Sequence, residues 1–456
     1  MTEASAPRRS AVLQAALLGL GSATVPFDAS VNIAFPSITS SFGLPIDAIQ
    51  WVVIFYMLSH SALMLAFGRL GDLAGHALVF RLGLACLAIA FTLCALAPVY
   101  EWLLAARALQ GVGAALTLSC GPALITSLFP EEQRVRALGA YATMIAVGGA
   151  LGPSLGGLLV QEFGWPGVFG FRVPIALIPL LLLRDLPTPP RTAAREPFDS
   201  IGAVLLAATL VALLLALNRA GRGETLVAII LALGAVVGLA AFIQRERTFR
   251  APMLPLGIFR SIDFSLLNLL NALVNLAGFA ALLLVAYFLA RQTSLGPLLG
   301  GFVLAMSPTG GAIGSSLGAR TAAMLGRYPT ALLACVLTGS GLFWTANWGA
   351  SPPVWSMVAS LLLQGIGTGL LQVAYLDIVT ATLPRENRGV AGSLANLTRT
   401  LGIVLGAAGL TLIFTIASDG ARDFLAGFRV TFLFAASLPA LMLLAAISRR
   451  GPWLLR

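Results

Sequence analysis

Leu109-Gln110-Gly111-Val112-Gly113 returns 254 positions later as Leu363-Gln364-Gly365-Ile366-Gly367. The register holds without a gap beyond these five residues: Pro130 matches Pro384, Glu132 matches Glu386, Arg134 matches Arg388, Ala137 matches Ala391, Gly148 matches Gly402 and Gly152 matches Gly406. Pro, Glu, Gln and Arg are scarce in a chain this rich in Ala, Leu and Gly. Their recurrence in one register therefore marks an internal duplication.

The composition says what is duplicated. Of 456 residues, 58% are hydrophobic and 10% charged, with a mean hydropathy of +0.93, against roughly 25% charged in a soluble protein. A soluble fold of this make-up would expose apolar patches larger than soluble monomers carry, so the chain reads as an all-α polytopic membrane protein. The net charge of +10 is sparse and broken by apolar runs, which excludes a disordered chain, a secreted disulfide scaffold and a nucleic-acid binder. Cys86, Cys94, Cys120 and Cys335 all fall in apolar stretches and read as small packing residues.

A bilayer asks for about 20 apolar residues per helix. Fourteen stretches qualify, near 11–35, 47–67, 79–97, 102–128, 138–160, 168–183, 201–217, 225–243, 264–289, 297–318, 330–347, 354–382, 391–417 and 429–448. MTEASAPRRS offers no cleavage-site pattern, so the first stretch reads as an uncleaved helix. The repeat equates the fourth and fifth stretches with the twelfth and thirteenth. This predicts two six-helix bundles, residues 1–184 and 246–456, with a linker and two inserted helices over 185–245. All 28 basic residues are arginine. With both termini cytoplasmic, the inter-helix arginines gather on the cytoplasmic side, leaving Arg219, Arg222, Arg291, Arg422 and Arg429 outside, as the positive-inside rule requires.

Parallel repeats of this kind suit a transporter that rocks one bundle against the other around a midplane site. The fifth stretch carries Gly139, Gly148, Gly152-Pro153 and Gly156-Gly157 on one helix, a pattern that lets a neighbouring backbone approach closely in lipid while Pro153 bends the helix. Ordinary small-residue packing is the plainer reading. Arg107, in the fourth stretch with Gln110, is costly in lipid unless it faces a wet cavity or a partner, the alternative being a side chain that snorkels to the interface. Asp28, near the end of the first stretch and followed by Asn32, is the best candidate proton carrier. Burial and a nearby arginine would push its protonation in opposite senses, so substrate could switch it; an aspartate at the outer interface is the plain alternative. His60, Asp377 and Arg399 are further polar residues inside apolar stretches. His60 could titrate near neutrality or serve helix packing, Asp377 lies close enough to the cytoplasmic end to be solvated, and Arg399 could face the cavity.

The glycine spacing from Gly139 to Gly157 resembles the antiporter motif of the major facilitator superfamily at each defined position, and the resemblance covers nearly the whole chain. Gly68-Arg69-Leu70-Gly71-Asp72-Leu73-Ala74-Gly75 is similar to its cytoplasmic gate motif through Gly68, Leu70, Asp72 and Gly75, although His76-Ala77 stand where the family usually has basic residues. The inserted pair, with Phe198-Asp199-Ser200-Ile201-Gly202 entering it, looks like the fourteen-helix drug:proton antiporter branch. Phe27-Asp28-Ala29-Ser30-Val31-Asn32 looks like that branch's first-helix signature with spacings one residue short, which Pro26 could accommodate by rewinding the helix. Arg172 stands where the branch often has Asn.

The resemblance implies a major-facilitator fold of fourteen transmembrane helices and a proton-coupled exporter of amphipathic small molecules. Asp28 and Arg107, with weaker candidates His60 and Asp377, would couple protons. Asp28, Asn32, Gln110 and Arg399 would line the substrate cavity, the glycine helix would seal the interface against leak, and Asp72 would hold the cytoplasmic gate against Arg69 or Arg136. No Cys/His metal spacing, Walker loop or Ser-His-Asp set is present, so the expectation is no enzyme, no metal and no cofactor, with a proton gradient as energy source. The expected partners are the bilayer, protons and a small substrate, without nucleic acid, for a monomer in the inner membrane. The rival readings are a dedicated exporter or flippase of a lipid-like metabolite and a passive facilitator.

Overall fold

The computed structural model describes residues 11–129, 131–183, 199–221, 223–249, 256–382, 389–418, 423–449 and 453. Every regular element among these residues is helical. In chain order they are α1 (Ala11–Ala23), α2 (Ser30–Ser41), α3 (Gln50–Ala74), α4 (His76–Ala95), α5 (Tyr100–Leu128), α6 (Glu131–Gly170), α7 (Arg172–Leu182), α8 (Ser200–Gly221), α9 (Thr225–Thr248), α10 (Ile262–Gln292), α11 (Pro297–Leu325), α12 (Arg327–Ala346), α13 (Val354–Thr382), α14 (Gly389–Ala417) and α15 (Phe424–Arg449). Among the described residues, 11 helical segments are long and apolar enough to cross a membrane.

Two breaks matter for function. The first predicted stretch is not one continuous α-helix. Pro26 has no N–H to continue the ladder, so the chain tightens into a 3₁₀ turn over Pro26–Ala29 between α1 and α2. The second break lies at Gly164, whose φ of 68° only glycine adopts without strain. It interrupts α6, and α7 then starts at Arg172.

The duplication is visible in packing. On α5, Gly111 faces the backbone of Tyr56 on α3 and Gly113 faces Leu87 on α4; on α13, Gly365 faces Ser307 on α11 and Gly367 faces Thr338 on α12. A Cβ at Gly113 would stand 2.9 Å from Leu87 N, and one at Gly367 2.6 Å from Thr338 N. Both copies thus need glycine for close helix approach. Likewise Gly148 and Gly152 of α6 lie against Ala23 and Ser30, while Gly402 and Gly406 of α14 lie against α10.

The two sets of helices meet along α6–α11, α3–α14 and α2–α10. Gly157 sits on the backbone of Pro297 and Gly301 on that of Pro153. Tyr287 on α10 donates towards Phe35 O (3.4 Å) and Thr39 Oγ1 (3.3 Å) on α2, and Ser61 on α3 donates to Thr400 on α14 at 2.8 Å. The α8–α9 pair packs on itself and touches α3 and α14 through α8. Asp199 caps α8 by accepting from Gly202 N at 2.9 Å, and Arg245 at the end of α9 donates to the same carboxylate at 3.1 Å. Outward, α9 presents Leu226, Ile230, Leu233, Val236 and Val237, a face suited to lipid.

Candidate functional site: a carboxylate held by two arginines at a central cavity

The 3₁₀ turn before α2 delivers Asp28 to the wall of a cavity of about 1310 Å³. Arg107 on α5 grips the carboxylate with both ends of its guanidinium, Nη1 to Oδ1 at 2.6 Å and Nη2 to Oδ2 at 2.8 Å. Its Nε donates to Val52 O at 2.9 Å, and its plane lies over the Tyr56 ring at 4.4 Å. Gln110, one turn along α5, donates to Asp28 Oδ1 at 2.9 Å while its Oε1 accepts from Arg107 at 2.7 Å.

Arg172, at the start of α7, also reaches Asp28: its Nη1 donates to Oδ1 at 2.9 Å and its Nε to Val168 O at 3.1 Å. It packs over Phe91 at 4.5 Å, and its Nη2 has no partner among the described residues. Arg107 and Arg172 are both fully buried. Such charges persist in a membrane interior only when paired. The cost of an arginine inside an apolar stretch, which singles out Arg107 in the sequence, applies equally to Arg172 in the sixth stretch.

Asn32, His60 and Arg399 line the cavity. His60 is buried and stacked on Tyr56 with 6.0 Å between centroids. Three expectations need correction. Gln110 is not on the lining but buried behind it, bonded to Asp28 and Arg107. Asp377 lies outside the lining, on the periphery, paired with Arg327 at 2.8 Å in a half-exposed bridge rather than facing the cavity. Gly139 is exposed, with nothing among the described residues near the position a Cβ would occupy, unlike Gly148, Gly152, Gly156 and Gly157. At the expected gate, Gly68 lines the cavity and Gly75 (φ 99°) ends α3. The side chains of Arg69, Asp72 and Arg136 lie outside the described residues.

The opposite wall is largely uncharged. Leu361 occupies the repeat position of Arg107, and Gln364, the counterpart of Gln110, accepts from Ser307 at 2.7 Å. Residues of α3, α6, α13 and α14 extend the lining to Gly68, Tyr141, Leu376 and Ala395, towards the end of the molecule where α3 and α13 finish and α14 begins. At the other end Tyr287, Phe35 and Thr39 close it.

The sequence profile of the Major Facilitator Superfamily matches residues 15–259 and 267–454. The chain belongs to the Major Facilitator Superfamily. Among curated relatives it is similar to the riboflavin transporter RibZ of Clostridioides difficile, 28% identical over 393 residues covering 83% of this chain and 82% of that one. It is also similar to the multidrug efflux pump LfrA of Mycolicibacterium smegmatis, 30% identical over 407 residues covering 88% and 80%. Among solved structures, the peptide transporter POT in complex with sulfate superposes with a TM-score of 0.72 at 16% identity, over 99% of this chain and 97% of that one, a likeness of fold. This superfamily member is a multi-pass membrane transporter of small molecules, not an enzyme.

Proposed function

We propose that this protein is a proton-coupled exporter of amphipathic small molecules, working by alternating access in the inner membrane with both termini cytoplasmic. The observation that carries the reading is Asp28, a carboxylate on the wall of a central cavity whose oxygens are held by Arg107, Arg172 and Gln110. Such a donor set fits the charged carboxylate, so taking up a proton requires loosening the arginines, and substrate or water entering beside them supplies a reason to loosen. Relatives named for drug efflux support export of foreign compounds.

The fourteen-helix branch belongs to the same reading. To the 11 clear spans are added α1 with α2 as one broken crossing, α7 as a crossing separate from α6 across Gly164, and α8. Residues 1–184 and 246–456 are then two bundles, and 185–245 holds the linker and inserted pair. Protons from the gradient, no bound cofactor and a monomeric unit complete the proposal.

The test is a pH gradient imposed on proteoliposomes, with lipophilic cations, anions and neutral compounds added in turn. Substrate-dependent proton release that disappears in Asp28→Asn is expected. Substrate moving down its own gradient without a proton signal would replace antiport with facilitation. A second reading, dedicated transport of one endogenous compound, is favoured by the likeness to RibZ; it expects one compound in the panel to act and the rest to be silent.

A further inference from the structure

The cavity's charge is lopsided. Among the described residues, its ionised lining consists of Asp28, Arg107 and Arg399, and Arg172 is bonded to the first: three guanidiniums against one carboxylate. That carboxylate is fully engaged. Its Oδ1 accepts from Arg107, Arg172 and Gln110, and its Oδ2 from Arg107. A cation entering the cavity therefore meets no free carboxylate.

Arg399 is the opposite case. It is exposed on the cavity wall, and no side chain or carbonyl among the described residues accepts from it. Its neighbour Thr400 accepts from Ser61, the neighbour of His60, so Arg399 and His60 sit beside one α3–α14 contact. His60 is 7% exposed, lines the same cavity, and its Nε2 has no partner. A planar oxyanion offers this unpaired guanidinium the bidentate match it lacks. Phe35, Met57, Phe279 and Leu282 supply apolar surface on the same walls.

We infer that the cavity takes amphipathic organic anions, with a carboxylate or related oxyanion docking on Arg399 and an aromatic or aliphatic body against the apolar wall. The inference rests on the transporter reading and names its substrate class. Asp28 and its two arginines then serve the coupling ion, and Arg399 serves the cargo.

The test is binding to purified full-length protein in detergent, using three naphthalene probes that differ in charge: 2-naphthylacetate, 2-naphthylacetamide and (2-naphthylmethyl)trimethylammonium. Saturable binding of the acetate at least about tenfold tighter than either of the others is expected. Arg399→Gln should bring the acetate to the level of the amide, and Arg399→Lys should weaken the acetate several-fold while leaving the amide unchanged. The inference is overturned if the acetate does not bind saturably, if the ammonium binds as tightly, or if both Arg399 variants bind the acetate like the wild type. Should Arg399→Gln not yield folded protein, the wild-type preference together with Arg399→Lys decides. No transport or gradient enters this measurement. Anion preference without proton exchange would sink antiport alone, and proton exchange driven by cations would sink the anion assignment alone.

Discussion

Arg172 and Asp28, separated by 144 positions in the chain, meet at 2.9 Å in the protein interior. Asp28 thereby compensates two buried cations at once, and the three do not contribute equally to stability. Asp28→Asn leaves two guanidiniums without a counter-charge and should cost about 3–5 kcal/mol. Arg172→Met leaves a neutral Asp28–Arg107 pair and removes an unsatisfied Nη2, so it should cost clearly less. Thermal unfolding of the purified variants in detergent checks the order; an Arg172→Met protein less stable than Asp28→Asn would contradict this account of the cluster.

The glycines of α6 are not equivalent. A Cβ at Gly156 would stand 2.6 Å from Ser30 O, whereas one at Gly139 meets nothing. Gly156→Ala must push α6 away from α2 and should lose about 1–3 kcal/mol. Gly139→Ala should be neutral or gain up to about 1 kcal/mol through helix propensity. Melting temperatures that move together in the two variants would argue against the close α2–α6 approach.

The repeat and the helical class are legible in the sequence through glycines in register on α5 and α13 and through composition, and Asp28 and Arg107 each stand out as charges inside apolar runs, their pairing being what the family resemblance implies. Arg172 is not so marked. It stands at the start of an apolar stretch, where hydropathy alone reads an arginine as reaching for water. Only the break at Gly164 and the packing of α7 against α4 turn it inward. For Asp377 the sequence leaves the cavity and a solvated end both open, since the helix period does not reveal that its face meets Arg327. Gly139 satisfies a spacing without a neighbour to approach.

The half-exposed pair Asp377–Arg327 sits in water-like surroundings, where such bridges contribute about 0–1 kcal/mol. Asp377→Asn should therefore keep substrate-dependent proton movement in proteoliposomes and unfold within a few degrees of wild type. Loss of coupling in this variant, at normal stability, would return Asp377 to the mechanism.

Tyr287 ties α10 to α2 through Phe35 O and Thr39. Hydrogen bonds of this kind contribute about 0.5–1.5 kcal/mol each, so Tyr287→Phe should favour opening at that end several-fold. Asn32→Cys, on the cavity wall, provides the reporter, and the native cysteines are mostly buried. Faster labelling of Asn32→Cys by a membrane-impermeant maleimide from the Tyr287 side, in the Tyr287→Phe background, is the expected result; an unchanged rate would remove Tyr287 from the closure.

Asp28, Arg107, Gln110 and Arg172 all belong to one copy of the duplicated unit, and Val52 and Val168, whose carbonyls steady the arginines, belong to it too. In the alternating-access cycle proposed above, a rigid swing of one copy against the other would carry the cluster along as a passenger, its bonds untouched. What the swing alters is which aqueous compartment the cluster looks out on. In the proposed cycle, gaining or losing a proton is thus a local affair among four side chains, on which the large motion acts as a shutter does on a lamp.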